Sequence, residues 1–89
     1  MTTGDERIAA VIFELLEQRA HGATICPSDA ARALERDEFA WRALMPEVRR
    51  VAAGLAQAGL LRVTAHGEDV DALQARGPIR LGWPDSPAN

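Results

Sequence analysis

Pro46-Glu47-Val48-Arg49-Arg50-Val51-Ala52-Ala53-Gly54-Leu55-Ala56-Gln57-Ala58-Gly59, followed directly by Leu60-Leu61-Arg62-Val63-Thr64 and Ala65-His66-Gly67, is the stretch on which the fold turns. Val48, Val51, Ala52 and Leu55 recur at helical spacing and put one apolar face on a helix over 46–58. Gly59 suits the left-handed residue that closes a helix. Beyond it the period changes. Leu60 to Thr64 reads as a strand, Ala65-His66-Gly67 as a turn, and Glu68 to Asp71 as the returning partner strand.

Working back toward the start, Phe39 to Met45 predicts a separate helical turn with Trp41 and Leu44 inward, because Pro46 starts or kinks a helix. Arg36-Asp37-Glu38 reads as a polar connection. A short helix is expected over Pro27–Glu35, burying Ala30, Ala31 and Leu34. Pro27 suits its first position, and Asp29 can reach back to Cys26 as in a capping box. Thr24-Ile25 is long enough only for a small strand. The first helix is the plainest: Ile8, Val11, Ile12, Leu15 and Leu16 form one stripe over about residues 5–20. Asp5 and Glu6 lie in its first turn, where the helix dipole favours them, and His21-Gly22 closes it.

Working forward, Ala72 to Arg76 reads as one helical turn, and Gly77-Pro78 turns the chain into Ile79-Arg80-Leu81. Arg76 is expected to pair with Asp71 or Asp69. Residues 83–89 read as a tail that Trp83 can pin. The domain therefore covers 5–82. Three helices followed by a strand, a glycine turn and a strand give an α+β, mainly helical chain in the order of a winged helix-turn-helix. In that fold the third helix enters the DNA major groove and the β-hairpin is the wing.

Local strings point the same way. Thr24-Ile25-Cys26-Pro27-Ser28-Asp29, Trp41-Arg42-Ala43-Leu44-Met45-Pro46, Val70-Asp71 and Ala75-Arg76-Gly77-Pro78-Ile79-Arg80-Leu81 resemble a family of small bacterial proteins known as a domain of unknown function. That family is assigned to the winged-helix class. The resemblance implies that fold and the capacity to bind DNA, and it supplies no activity. The wing tip here, His66-Gly67-Glu68-Asp69, is acidic where basic or neutral residues are expected, which argues against wing contact with phosphate.

The 89 residues include ten basic residues, all Arg, and no Tyr; the formal charge is −3 and 47% of the chain is hydrophobic. A chain of this size forms one domain that buries about 60–65% of its unfolded surface. Without Lys there is no Schiff base or phosphate-loop lysine, and without Tyr no phenolic acid. One Cys excludes an internal disulfide. The longest apolar run, Ile8 to Phe13, is far below the ~18 residues that cross a bilayer, and the polar, acidic start is unlike a signal peptide. These features predict a cytoplasmic protein with no membrane association.

Charge is concentrated locally. Residues 39–65 carry Arg42, Arg49, Arg50 and Arg62 against Glu47 alone, a basic island in an acidic frame. With Val48 pointing to the core, Pro46, Arg50, Ala53 and Gln57 point outward and Arg49 lies at the flank. Arg pairs with guanine and Gln with adenine, while a small Ala53 permits close approach. Arg49, Arg50 and Gln57 are the expected groove contacts, with Arg42 and Arg62 on phosphates. Four neutralised phosphates correspond to a salt slope of roughly −3.6, so binding by a monomer is expected to be weak and a homodimer or a protein partner is expected to strengthen it.

The alternative expectation is an interaction module without DNA contact, its acidic wing and first helix facing a protein. An enzyme is not expected. Ser28 and Ser86 have no His nearby in sequence, and His21, His66 and Cys26 lack metal-ligand spacing. Glu68 and Asp69 fall on opposite strand faces, and Cys26 is expected as a packing residue. Neither a cofactor nor a small-molecule ligand is indicated.

Overall fold

The computed structural model describes residues 4–85. Helix α1 spans Gly4–Glu17, α2 Pro27–Leu34 and α3 Glu38–Gln57. Strands β1 (Arg62–Ala65), β2 (Glu68–Asp69) and β3 (Arg80–Gly82) follow. The three helices and the small antiparallel sheet make a mainly helical α+β domain with a winged-helix-like arrangement.

Helix α1 buries Ile8, Ile12 and Leu16. It stops at Glu17, earlier than the expected residue 20, because no large apolar side chain continues the stripe beyond Leu16. The Arg19 amide closes a tightened last turn on the Leu16 carbonyl at 3.2 Å, and Gly22 adopts φ 95° in the turn that follows. Helix α2 begins as its sequence dictates. The Asp29 carboxylate accepts the Cys26 amide at 2.9 Å, and the Ser28 hydroxyl donates to Cys26 Sγ at 3.2 Å.

Helix α3 differs from the expected break at Pro46. It is one continuous element from Glu38 to Gln57, with Pro46 inside it. An interior proline removes one helical hydrogen bond and costs about 3 kcal/mol. Burial on both sides of the ring offsets that cost. Trp41, Leu44 and Met45 pack against the core before it, and Val48, Val51 and Ala52 are buried after it. The supposed connection at Asp37 is the helix cap, accepting the Ala40 amide at 3.0 Å. Asp37→Ala should therefore cost about 1 kcal/mol, read as a lower urea midpoint with an unchanged slope.

The turn between β1 and β2 has two residues, His66 and Gly67, with φ of 52° and 80°. Positive φ at both positions matches the twist of a tight hairpin. The sheet contains one strand more than the expected hairpin. Its order is β2-β1-β3, with Val63 opposite Leu81. Gly77, at φ 80°, and Pro78 return the chain so that Ile79 and Leu81 are buried on either side of the exposed Arg80. Ile25 extends the sheet through a two-way bridge to Leu81, both bonds 2.8 Å. The core lies between this sheet and the helices, with Ile12, Ile25, Val48 and Leu81 fully enclosed. Trp83 stacks on Phe13 at 5.6 Å between ring centres. The rest of the expected tail, 86–89, lies outside the described residues.

Candidate functional site

The outer window of α3 is the surface that sequence singles out, and its geometry is set by what flanks it. Phe39, Ala43, Pro46, Arg50, Gly54 and Gln57 share this window and none is buried. On one side lies α1. On the other, the connection from β2 to β3 folds back along the helix.

The four arginines occupy different settings, and each has partners within the chain. Arg42 Nε lies 2.9 Å from Glu38 Oε2, one helical turn back. Arg50 grips Asp5 with two bonds of 2.6 and 3.0 Å, and its Nη2 also donates to Glu47 at 2.6 Å. The packing of α1 on α3 creates this bridge between residues 45 apart in sequence. Arg62 Nε donates to Asp69 at 2.6 Å. Thr64 faces Asp69 across the hairpin, so Arg62, two residues earlier, is its diagonal neighbour on the same face. Arg49 is half-buried, and its guanidinium donates to the carbonyls of Ala75 at 3.1 Å and Gly77 at 2.6 Å. Gln57 is exposed at the C-terminal end of α3.

Ala53 requires a correction. It is only 4% exposed rather than outward-facing. It lines a cleft of about 360 Å³ with Ala56, Gln57, Val70 and Ala72. A helical wheel centred on Val48 gives one core direction, whereas the chain returning from β2 covers a second flank. Arg76 also departs from expectation, because Asp69 is held by Arg62 and Asp71 Oδ1 accepts the Leu73 amide at 2.9 Å.

These pairings set the electrostatics. The Arg50 guanidinium, through its hydrogen bonds, holds the Asp5 carboxyl below the ordinary aspartate range, and Arg62 does the same to Asp69. Both groups therefore bind protons less readily in the folded chain than in the unfolded one. Their contribution to stability is complete above about pH 4 and is lost as pH falls through the depressed folded values. An NMR titration should place both carboxylates below the ordinary range. Arg50→Met should return Asp5 toward it and leave Asp69 unmoved.

Two features escaped the sequence reading. Phe39, at the start of α3, is 89% exposed. Leu73, on the returning segment, is 61% exposed and shares a cleft of about 380 Å³ with Met45, Pro46 and Arg49. Near Phe39, Trp41 carries two guanidinium contacts, Arg32 at 4.6 Å and Arg42 at 5.2 Å from the ring centre. The only sequence signal was a Phe placed outside the apolar stripe. Among the described residues, no three His, Cys, Asp or Glu side chains converge, and no helix is long and apolar enough to cross a membrane.

Residues 5–84 match the family described as Protein of unknown function (DUF3253). The chain belongs to this family. The match runs from the first turn of α1 through β3, so the paired arginines and the apolar window of this DUF3253 member lie inside the family's domain. No curated protein matches the chain.

Proposed function

We propose that this chain is a cytoplasmic, non-enzymatic winged-helix module that binds a protein partner through the outer face of α3. The observation that carries the reading is the engagement of all four candidate arginines within the chain, three by carboxylates and one by main-chain carbonyls. With a formal charge of −3, the chain offers little uncompensated positive field to a polyanion. The face beside those pairs is apolar or small-sided: Phe39, Ala43 and Pro46, with Leu73 alongside. Exposed aromatic side chains are characteristic anchors at protein interfaces.

DNA binding, with Arg49, Arg50 and Gln57 in the major groove and Arg42 and Arg62 on phosphates, is the competing reading, favoured by the order of elements. Exposed ion pairs are weak because water screens them, so Arg42 and Arg50 can be drawn to phosphate at small cost. Arg49 differs because its bonds hold a neighbouring segment in place.

Selection of a random peptide display library on the immobilised domain tests the interaction reading. It should recover apolar-rich peptides whose affinity falls about tenfold or more with Phe39→Ser, the loss expected for an interface anchor. Recovery of peptides indifferent to Phe39→Ser, or of none, would overturn the assignment of this face.

A further inference from the structure

The segment between β2 and β3 has an unusual attachment. Its start is paired by the Val70 amide to the Val63 carbonyl at 3.0 Å, and its far end is anchored by Ile79, 1% exposed. Between these anchors its own bonds are local. The Leu73, Gln74 and Ala75 amides all donate to Asp71, the first to its side chain and the others to its carbonyl.

Arg49 ties the segment to α3, through one guanidinium shared by the Ala75 and Gly77 carbonyls. The packing beneath is thin. Ala72 is buried, 2% exposed, yet clefts of about 360 and 380 Å³ lie on either side of it. The one large apolar side chain of the segment, Leu73, points to solvent. Few buried apolar contacts between firm ends are the conditions for local opening without global unfolding.

We propose that residues 71–77 form a strap that opens as a unit, with Arg49 as its latch, and that opening uncovers the Ala53 flank of α3. Gly77, at φ 80° with open space where a Cβ would stand, and Pro78 mark the hinge at one end. Opening also frees a guanidinium beside an apolar surface. Arg49 acts here as a positioning residue.

Thiol labelling of the full chain under native conditions, read site by site by peptide mass, tests the strap. Ala72→Cys places a thiol beneath it, and Ala52→Cys places one in the helix core, where Ala52 is fully buried. The thiol at position 72 should be labelled about 100-fold faster than the thiol at position 52, since local opening costs less than global unfolding. Adding Arg49→Gln should raise the rate at position 72 about tenfold or more and leave the rate at position 52 within about threefold, as expected when hydrogen bonds from a charged donor are lost. Equal rates at the two sites, or an equal rise at both, would overturn the proposal. Should the Arg49→Gln chain not fold, the ratio of the two rates with Arg49 in place decides alone.

Discussion

Leu81→Ala should lower the thermal midpoint by about 15 °C or more, followed by circular dichroism. Leu81 is 0% exposed and lies between Val63 on β1 and the bridge to Ile25. Truncating a buried leucine costs about 3–4 kcal/mol when the site cannot collapse. Here it cannot collapse easily, because the Leu81 backbone is held by hydrogen-bonded neighbours on both sides. For a domain of this size each 1 kcal/mol moves the midpoint by roughly 4–8 °C. Leu73→Ala provides the control. Leu73 is 61% exposed, and its loss should change stability by less than about 0.5 kcal/mol. A Leu81→Ala loss below about 1 kcal/mol would mean that β3 does not close the core.

Ala53→Asp is the second large effect, and it separates a local helical-wheel reading from the folded chain. An outward-facing Ala53 would accept Asp at the cost of helix propensity alone, about 0.7 kcal/mol or less. Beneath the strap, where Ala53 is 4% exposed, the carboxylate must be desolvated or the strap displaced. The expected loss is about 2–3 kcal/mol by urea denaturation, capped by the free energy of opening the strap. The adjacent position should respond oppositely. A Cβ at Gly54 meets nothing within 4 Å, so Gly54→Ala should stabilise by about 0.5–1 kcal/mol. A loss of about 0.7 kcal/mol or less for Ala53→Asp would place Ala53 on the open surface.

What could be read from sequence divides along the range of the interactions involved. The α1 stripe, the Cys26–Asp29 cap, the glycine turn after β1 and the order of elements all depend on residues a few positions apart. They emerge directly from periodicity, capping and turn chemistry. The continuity of α3 through Pro46 does not, because it rests on burial of Trp41, Leu44 and Val48 by other elements. Nor does the burial of Ala53, which is covered by a segment about a dozen residues beyond the end of its helix.

The candidate site was legible as a set of residues and obscure as a set of charges. Arg42 pairs one helical turn away, a partner visible in sequence, and Arg50 has Glu47 equally near. The bidentate grip of Arg50 on Asp5 and the reach of Arg49 to the strap arise only in three dimensions. A local count of charges shows a basic island, whereas in the folded chain its arginines face carboxylates and carbonyls. Phe39 is obscure for the converse reason. An apolar side chain off the helix stripe is only a weak sequence signal until the surface around it is known.

An NMR titration of the full chain with a mixed-sequence DNA duplex at about 50 mM salt, where phosphate contacts are strengthened, tests the central claim most directly. If the arginines serve the fold and α3 presents a protein-binding face, the amides of residues 46–57 stay unmoved at every duplex ratio. Progressive shifts across 46–57, with an affinity falling along a salt slope near roughly −3.6, would contradict that claim and restore α3 as a groove-reading helix.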